Sequence, residues 1–76
     1  MIGQSWFGGK LTLTQFREKN GLSQRDVARE VEVPHNTISR YESGETKSLR
    51  LTVRQFRNFE RLCERYGLTL DDLELD

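Results

Sequence analysis

Nothing in this 76-residue chain approaches the run of ~20 apolar residues that a membrane-crossing helix needs, and its opening decapeptide, MIGQSWFGGK, lacks the charged-then-apolar layout of a secretory signal. Membrane insertion and export are therefore not expected. Cysteine and histidine occur once each, as Cys63 and His35. Single copies cannot make a disulfide, a four-ligand zinc site or a Cys–His catalytic pair, so the expectation is a reducing, cytoplasmic setting without metal or other cofactor. No nucleophile, base and orienting group stand in a readable pattern, which argues against an enzyme, and no small-molecule site is evident. A chain of this length buries only about 60% of the surface that its unfolded form exposes, so one small, helix-built core is expected, with no room for a separate sensor domain.

An excess of either charge is also missing, since twelve Lys and Arg balance twelve Asp and Glu. The balance conceals a gradient. All twelve basic residues fall between Lys10 and Arg65 against eight acidic ones, a net of +4, and Asp71, Asp72, Glu74 and Asp76 supply the compensating −4. Between Arg40 and Arg57 five basic residues face only Glu42 and Glu45. Such a patch attracts phosphates, although a charged helix surface is more often merely solvated.

What the chain does have is concentrated in residues 21–44, GLSQRDVAREVEVPHNTISRYESG. Val27, Ala28 and Val31 recur at i, i+1 and i+4, and Ser23 with Asp26 makes a capping pair, which predicts a helix over 24–31 with one buried face. A second helix is predicted over 35–43, opened by Pro34 and ended by Gly44. At 100° per residue it sets Ile38 and Tyr41 on one side and Asn36, Ser39, Arg40 and Ser43 on the other. Two short helices joined by a tight turn, the second with a compact polar outer face, form a helix-turn-helix. An Arg suited to guanine and an Asn suited to adenine on that face are the chemistry that meets base edges in a DNA major groove.

Around this pair, Thr12 and Gln15 cap a helix over 13–20 carrying Leu13 and Phe16. Thr52 and Gln55 cap the longest, over 53–66, whose Val53, Phe56, Phe59, Leu62, Cys63 and Tyr66 follow the helical period. Gly67 closes it, and Thr69 opens one last turn with Asp71 and Asp72 at the positive end of the dipole. Five helices and no strand are expected. Residues 1–10, with three glycines, Trp6 and Phe7, show no period and read as an N-terminal arm; residues 11–76 read as the domain. In the C-terminal part, helix 4 and the last turn offer Leu68, Leu70, Leu73 and Leu75 beyond what a small core can bury and are the expected self-association surface, with the Trp6-bearing arm as the second candidate.

The run FREKNGLSQRDVAREVEVPHNTISRYESGETKS, with the ending YGLTLDDL, resembles the lambda-repressor-like, Cro/C1-type (XRE) helix-turn-helix family of phage and bacterial regulators. The likeness spans about 60 residues. It implies an all-α fold, a compact five-helix DNA-binding domain with the helix-turn-helix at helices 2 and 3. It also implies roles by position: His35, Asn36, Ser39 and Arg40 on DNA bases; Gln24, Thr37, Thr46, Lys47 and Arg50 on phosphates; and an ion pair between Arg17 and Glu42. Three departures stand out. Glu32 occupies the turn position where the family has a glycine with φ > 0, roughly seven extra residues around 50–56 lengthen the fourth helix, and the Trp-bearing arm is additional.

The expectation is thus a transcriptional regulator of the bacterial or phage type, cytoplasmic and nucleoid-associated. It would act as a repressor, binding double-stranded DNA as a homodimer. The competing reading is an antitoxin or adaptor that works through a protein partner. His35 with no second histidine reads as a polar contact at a helix start, and Cys63 as a small core residue.

Overall fold

The computed structural model describes residues 10–75; the arm bearing Trp6 and Phe7 lies outside them. Among the described residues there are four α-helices: α1 (Leu13–Lys19), α2 (Gln24–Val31), α3 (His35–Glu42) and α4 (Val53–Arg65). The start of each follows from local chemistry. Thr12, Ser23 and Thr52 each accept a hydrogen bond from the backbone N–H three residues on, and the side-chain oxygens of Gln15, Asp26 and Gln55 accept one in turn from the capping residue's own N–H.

Two expectations need correction. The fifth helix is a single 3₁₀ turn, Leu70–Asp72. The Asp72 carboxylate accepts from the Thr69 N–H at 2.9 Å and its hydroxyl at 3.3 Å, and Leu73, only 4% exposed, leaves the turn in extended backbone. The expected absence of strands also fails. Leu11–Thr12 (β1) pairs in parallel with Leu73–Glu74 (β2), Leu11 opposite Leu73 and Thr12 opposite Glu74. Alternation turns both leucines into the core and both polar partners outward, yet two residues are too few to show that period in a sequence.

The core is built from Leu13 and Phe16 of α1, Val27, Ala28 and Val31 of α2, Ile38 of α3, and Phe59, Leu62 and Cys63 of α4, closed by Leu11, Val33 and Leu73. Each fully buried large side chain contributes about 1.5–3 kcal/mol relative to exposure. Phe16 joins α1 to α4, its ring 6.5 Å from Phe59 and 6.0 Å edge-on from Tyr66. Leu68, Leu70 and Leu75 are half-buried against this core beside buried Leu73, so much of the surface of the C-terminal leucines is taken up by the chain's own interior.

Side chains of α4 set its position against α2 and the turn after it. Asn58 Nδ2 donates to the Val31 carbonyl at 3.1 Å and Gln55 Nε2 to the Glu32 carbonyl at 3.0 Å, satisfying acceptors that the end of α2 leaves open. Arg65 adds an ion pair to Glu30 at 3.2 Å. Glu32 itself is, among the described residues, the non-glycine residue with positive φ, at φ 71° and ψ 45°. There its N–H and that of Val33 both reach the Ala28 carbonyl, ending α2 and turning the chain toward α3.

Candidate nucleic-acid interface

Helix α3 divides as its period requires. Ile38 is fully buried and Tyr41 half-buried, whereas Asn36 and Arg40 are exposed and Ser39 retains part of its surface. His35 and Thr37 are half-buried in the first turn. A helix held by Ile38 and presenting Asn36, Ser39 and Arg40 has a rigid back and a polar front, which base-edge recognition needs.

Its C-terminal end is locked by Glu42. The carboxylate accepts Arg17 Nε at Oε2 and Arg17 Nη2 at Oε1, both at 2.9 Å, and Gln24 Nε2 at Oε1, also at 2.9 Å. Arg17 Nη1 donates further to the Leu22 carbonyl at 3.1 Å. One carboxylate therefore connects α1, the start of α2 and the end of α3. Burial alone would push the Glu42 carboxyl up, but the hydrogen bonds from Arg17 and Gln24 outweigh it and hold the group below its ordinary range. The same hydrogen bond raises the pKa of Arg17. Gln24, at the first position of α2, keeps one amide hydrogen and its carbonyl oxygen for other partners.

Beyond α3 the chain doubles back along it. The Arg40 carbonyl accepts from the N–H groups of Glu45 at 3.0 Å and Thr46 at 3.3 Å and from the Ser43 hydroxyl at 3.0 Å, which fastens the loop to the helix end. Gly44 makes the reversal with φ +86°, where a side chain would be strained. A groove results between α3 and the loop, lined by Thr37, Arg40, Thr46, Lys47, Ser48, Leu49 and Arg50. Three of its seven side chains are cationic and none is acidic. Thr46 and Lys47 also border an adjoining groove with Thr12, Thr14 and Glu74.

The structure thus gathers Thr37, Arg40, Thr46, Lys47 and Arg50 on one groove and places Gln24 on the Glu42 clamp. His35 and Asn36 sit at the other end of α3 and are not among the residues lining that groove. Sequence reasoning missed Glu45, whose carboxylate lies 3.6 Å from Arg40 Nε. Both side chains are about 60% exposed, so the pair is weak and Arg40 is readily released. The signal available was the five-residue spacing across a glycine stop, which returns the chain to the helix just left. Also missed was the contact of Arg54 with Glu32 at 3.2 Å, which ties α4 to the turn before α3.

Among the described residues no three His, Cys, Asp or Glu stand together to hold a metal ion, and no helix is long and apolar enough to cross a membrane. Residues 11–75 match the family described as "Helix-turn-helix domain". No curated protein and no solved structure matches the chain.

Proposed function

The chain belongs to the helix-turn-helix domain family, and on that premise we propose that it is a sequence-specific, double-stranded-DNA-binding transcriptional regulator that acts as a homodimeric repressor. In this reading α3 enters the major groove. Arg40 and Asn36, with Ser39 and His35, meet base edges, because Arg offers two donors to guanine and Asn a donor and an acceptor to adenine. Gln24, Thr37, Thr46, Lys47 and Arg50 hold phosphates on either side and fix the register of the helix on the duplex. The observation that carries the reading is the cationic groove between α3 and the loop after it, lined on the helix side by Thr37 and Arg40, with the back of α3 anchored by buried Ile38. Two copies related by a two-fold axis would read half-sites about 34 Å apart and occlude a promoter.

Selection of duplexes from a random pool by the purified protein tests this. An enriched motif with two-fold symmetry is the expected outcome. A pool that stays unenriched, with equal retention of all duplexes, would overturn sequence-specific binding and favour action through a protein partner.

A further inference from the structure

With the C-terminal leucines packed against the core, the large hydrophobic residues left exposed among the described ones are Val53, at 74%, and Phe56, at 49%. Both lie in the first turn of α4, and they share an outer face with four charged residues. At 100° per residue, Val53, Phe56, Arg57, Glu60, Arg61 and Glu64 fall within one arc of about 140°, outside which lie buried Phe59, Leu62 and Cys63. All six are exposed. Arg54 and Arg65, at the arc's edge, are engaged with Glu32 and Glu30. By contrast, Arg57, Glu60, Arg61 and Glu64 make no ion pair and no side-chain hydrogen bond among the described residues. An apolar patch is thus followed by two unpaired cations and two unpaired anions in alternation.

That pattern is complementary to itself when reversed. We infer that this face of α4 is where two copies of the chain join, the helices antiparallel across a two-fold axis midway between Arg57 and Glu60. Each Arg57 then faces the partner subunit's Glu60, and the same axis sets Phe56 against the partner subunit's Arg61, a cation over an aromatic ring. A parallel arrangement would set each charge against its own kind, which disfavours it. A helix of 13 residues is about 20 Å long, so the contact falls short of the ~800 Å² per partner of a standard stable complex. Association is therefore weak in free solution and strengthened when two copies occupy adjacent half-sites, where one raises the effective concentration of the other. The inference rests on the homodimeric reading proposed above and supplies its interface.

Sedimentation equilibrium of the full chain from micromolar to millimolar concentration tests it, with far-UV circular dichroism showing that the exposed substitutions leave the fold intact. Phe56→Glu should weaken self-association about tenfold or more. Arg57→Glu and Glu60→Arg should each weaken it, and an equimolar mixture of these two should recover it as a heterodimer, since both contacts between positions 57 and 60 are then of opposite sign. If the wild-type chain associates and Phe56→Glu does so equally well, α4 is not the interface while the dimer stands. A mixture that associates no better than its components would overturn the Arg57–Glu60 pairing. A wild-type chain that stays monomeric to millimolar concentration would remove the interface and the homodimeric reading together, leaving DNA recognition to be judged by duplex selection.

Discussion

Arg17 on α1 and Glu42 at the end of α3 meet as a double hydrogen bond, Nε to Oε2 and Nη2 to Oε1, each at 2.9 Å. The planar fork of a guanidinium fixes direction as well as distance, so the pair orients the end of α3 against α1 in a way that apolar packing alone does not. Side-chain exposures of 15% and 6% mean that water compensates little for the loss of either partner. The clamp lies at the end of the helix from which the groove loop departs, so it sets the angle at which Arg40 and Lys47 are presented.

Arg17→Ala is expected to destabilise the fold by about 3 kcal/mol, because it leaves a largely buried carboxylate with no cation beside it, only the neutral hydrogen-bond donors of Gln24 and Thr14. Glu42→Ala should cost a similar amount, and the double variant much less than the sum. Urea denaturation of the four proteins gives the coupling, expected at 1–3 kcal/mol; additive losses would show that the pair does not act as a unit. The pH dependence has a definite sign. The folded state lowers the Glu42 pKa from 4.5, so its contribution is complete above that value and is lost as pH falls through the folded pKa. Glu42→Gln should flatten the acid limb of the stability profile in that window.

Glu32→Gly should stabilise the protein by about 0.5–1 kcal/mol. A side chain at φ 71° costs about 1–2 kcal/mol in backbone energy. Against this stand the extra freedom that glycine gives the unfolded chain and the exposed contact with Arg54, worth little. A higher denaturation midpoint with unchanged m-value is the expected observation, and a lower midpoint would mean that the Arg54 contact outweighs the strain.

Cys63 is fully buried, and burial, aided by the carboxylates of Asp72, Glu64 and Glu60, pushes its thiol up to about 12 from 9.0. The native protein should therefore resist thiol reagents at pH 8, with labelling that follows the rate of unfolding. Because the folded state holds the proton more tightly, stability is complete below the unfolded pKa and declines as pH rises from about 9 toward 12. Cys63→Ala should remove that part of the alkaline decline, read as the difference between the two proteins' profiles. Rapid native labelling at pH 8 would contradict the burial.

Much of this architecture is legible in the sequence because its signals are local. The capping boxes at Thr12, Ser23 and Thr52 lie within four residues, and the helix faces follow from spacing, so the four helices are legible to within a residue or so at each end. The turn at Glu32 is legible from the family resemblance, which implies a positive-φ residue at that position. What escaped is non-local or too short to have a period. The pairing of Leu11 with Leu73 joins residues 62 positions apart through two-residue strands. The fate of the C-terminal leucines depends on how much core α1 and α4 leave open, which no spacing reveals. In the candidate interface the polar face of α3 was readable, but the loop's return along it depends on the Arg40 carbonyl gathering three donors, a matter of geometry after Gly44. Gln55 illustrates the limit, for its capping role is visible in TVRQ whereas its second bond, to the Glu32 carbonyl, belongs to the fold.

Arg40 and Lys47 line the same groove but should behave differently on DNA, since base contacts carry sequence information and phosphate contacts do not. Arg40→Ala is expected to cost about 1–3 kcal/mol on the selected duplex and much less on random DNA, relaxing specificity at one position, if its guanidinium forms two hydrogen bonds to a guanine. Its exposed contact with Glu45 adds little to this balance. Lys47→Ala should weaken binding to both duplexes alike and lower the slope of log affinity against log salt by about 0.9, the counterion release of one phosphate. Affinities on both duplexes at several salt concentrations separate the two roles. Equal losses for Arg40→Ala on cognate and random DNA would make Arg40 a phosphate ligand and transfer base reading to Asn36 and Ser39. A loss for Lys47→Ala confined to the cognate duplex would place the loop, and not α3 alone, in contact with bases.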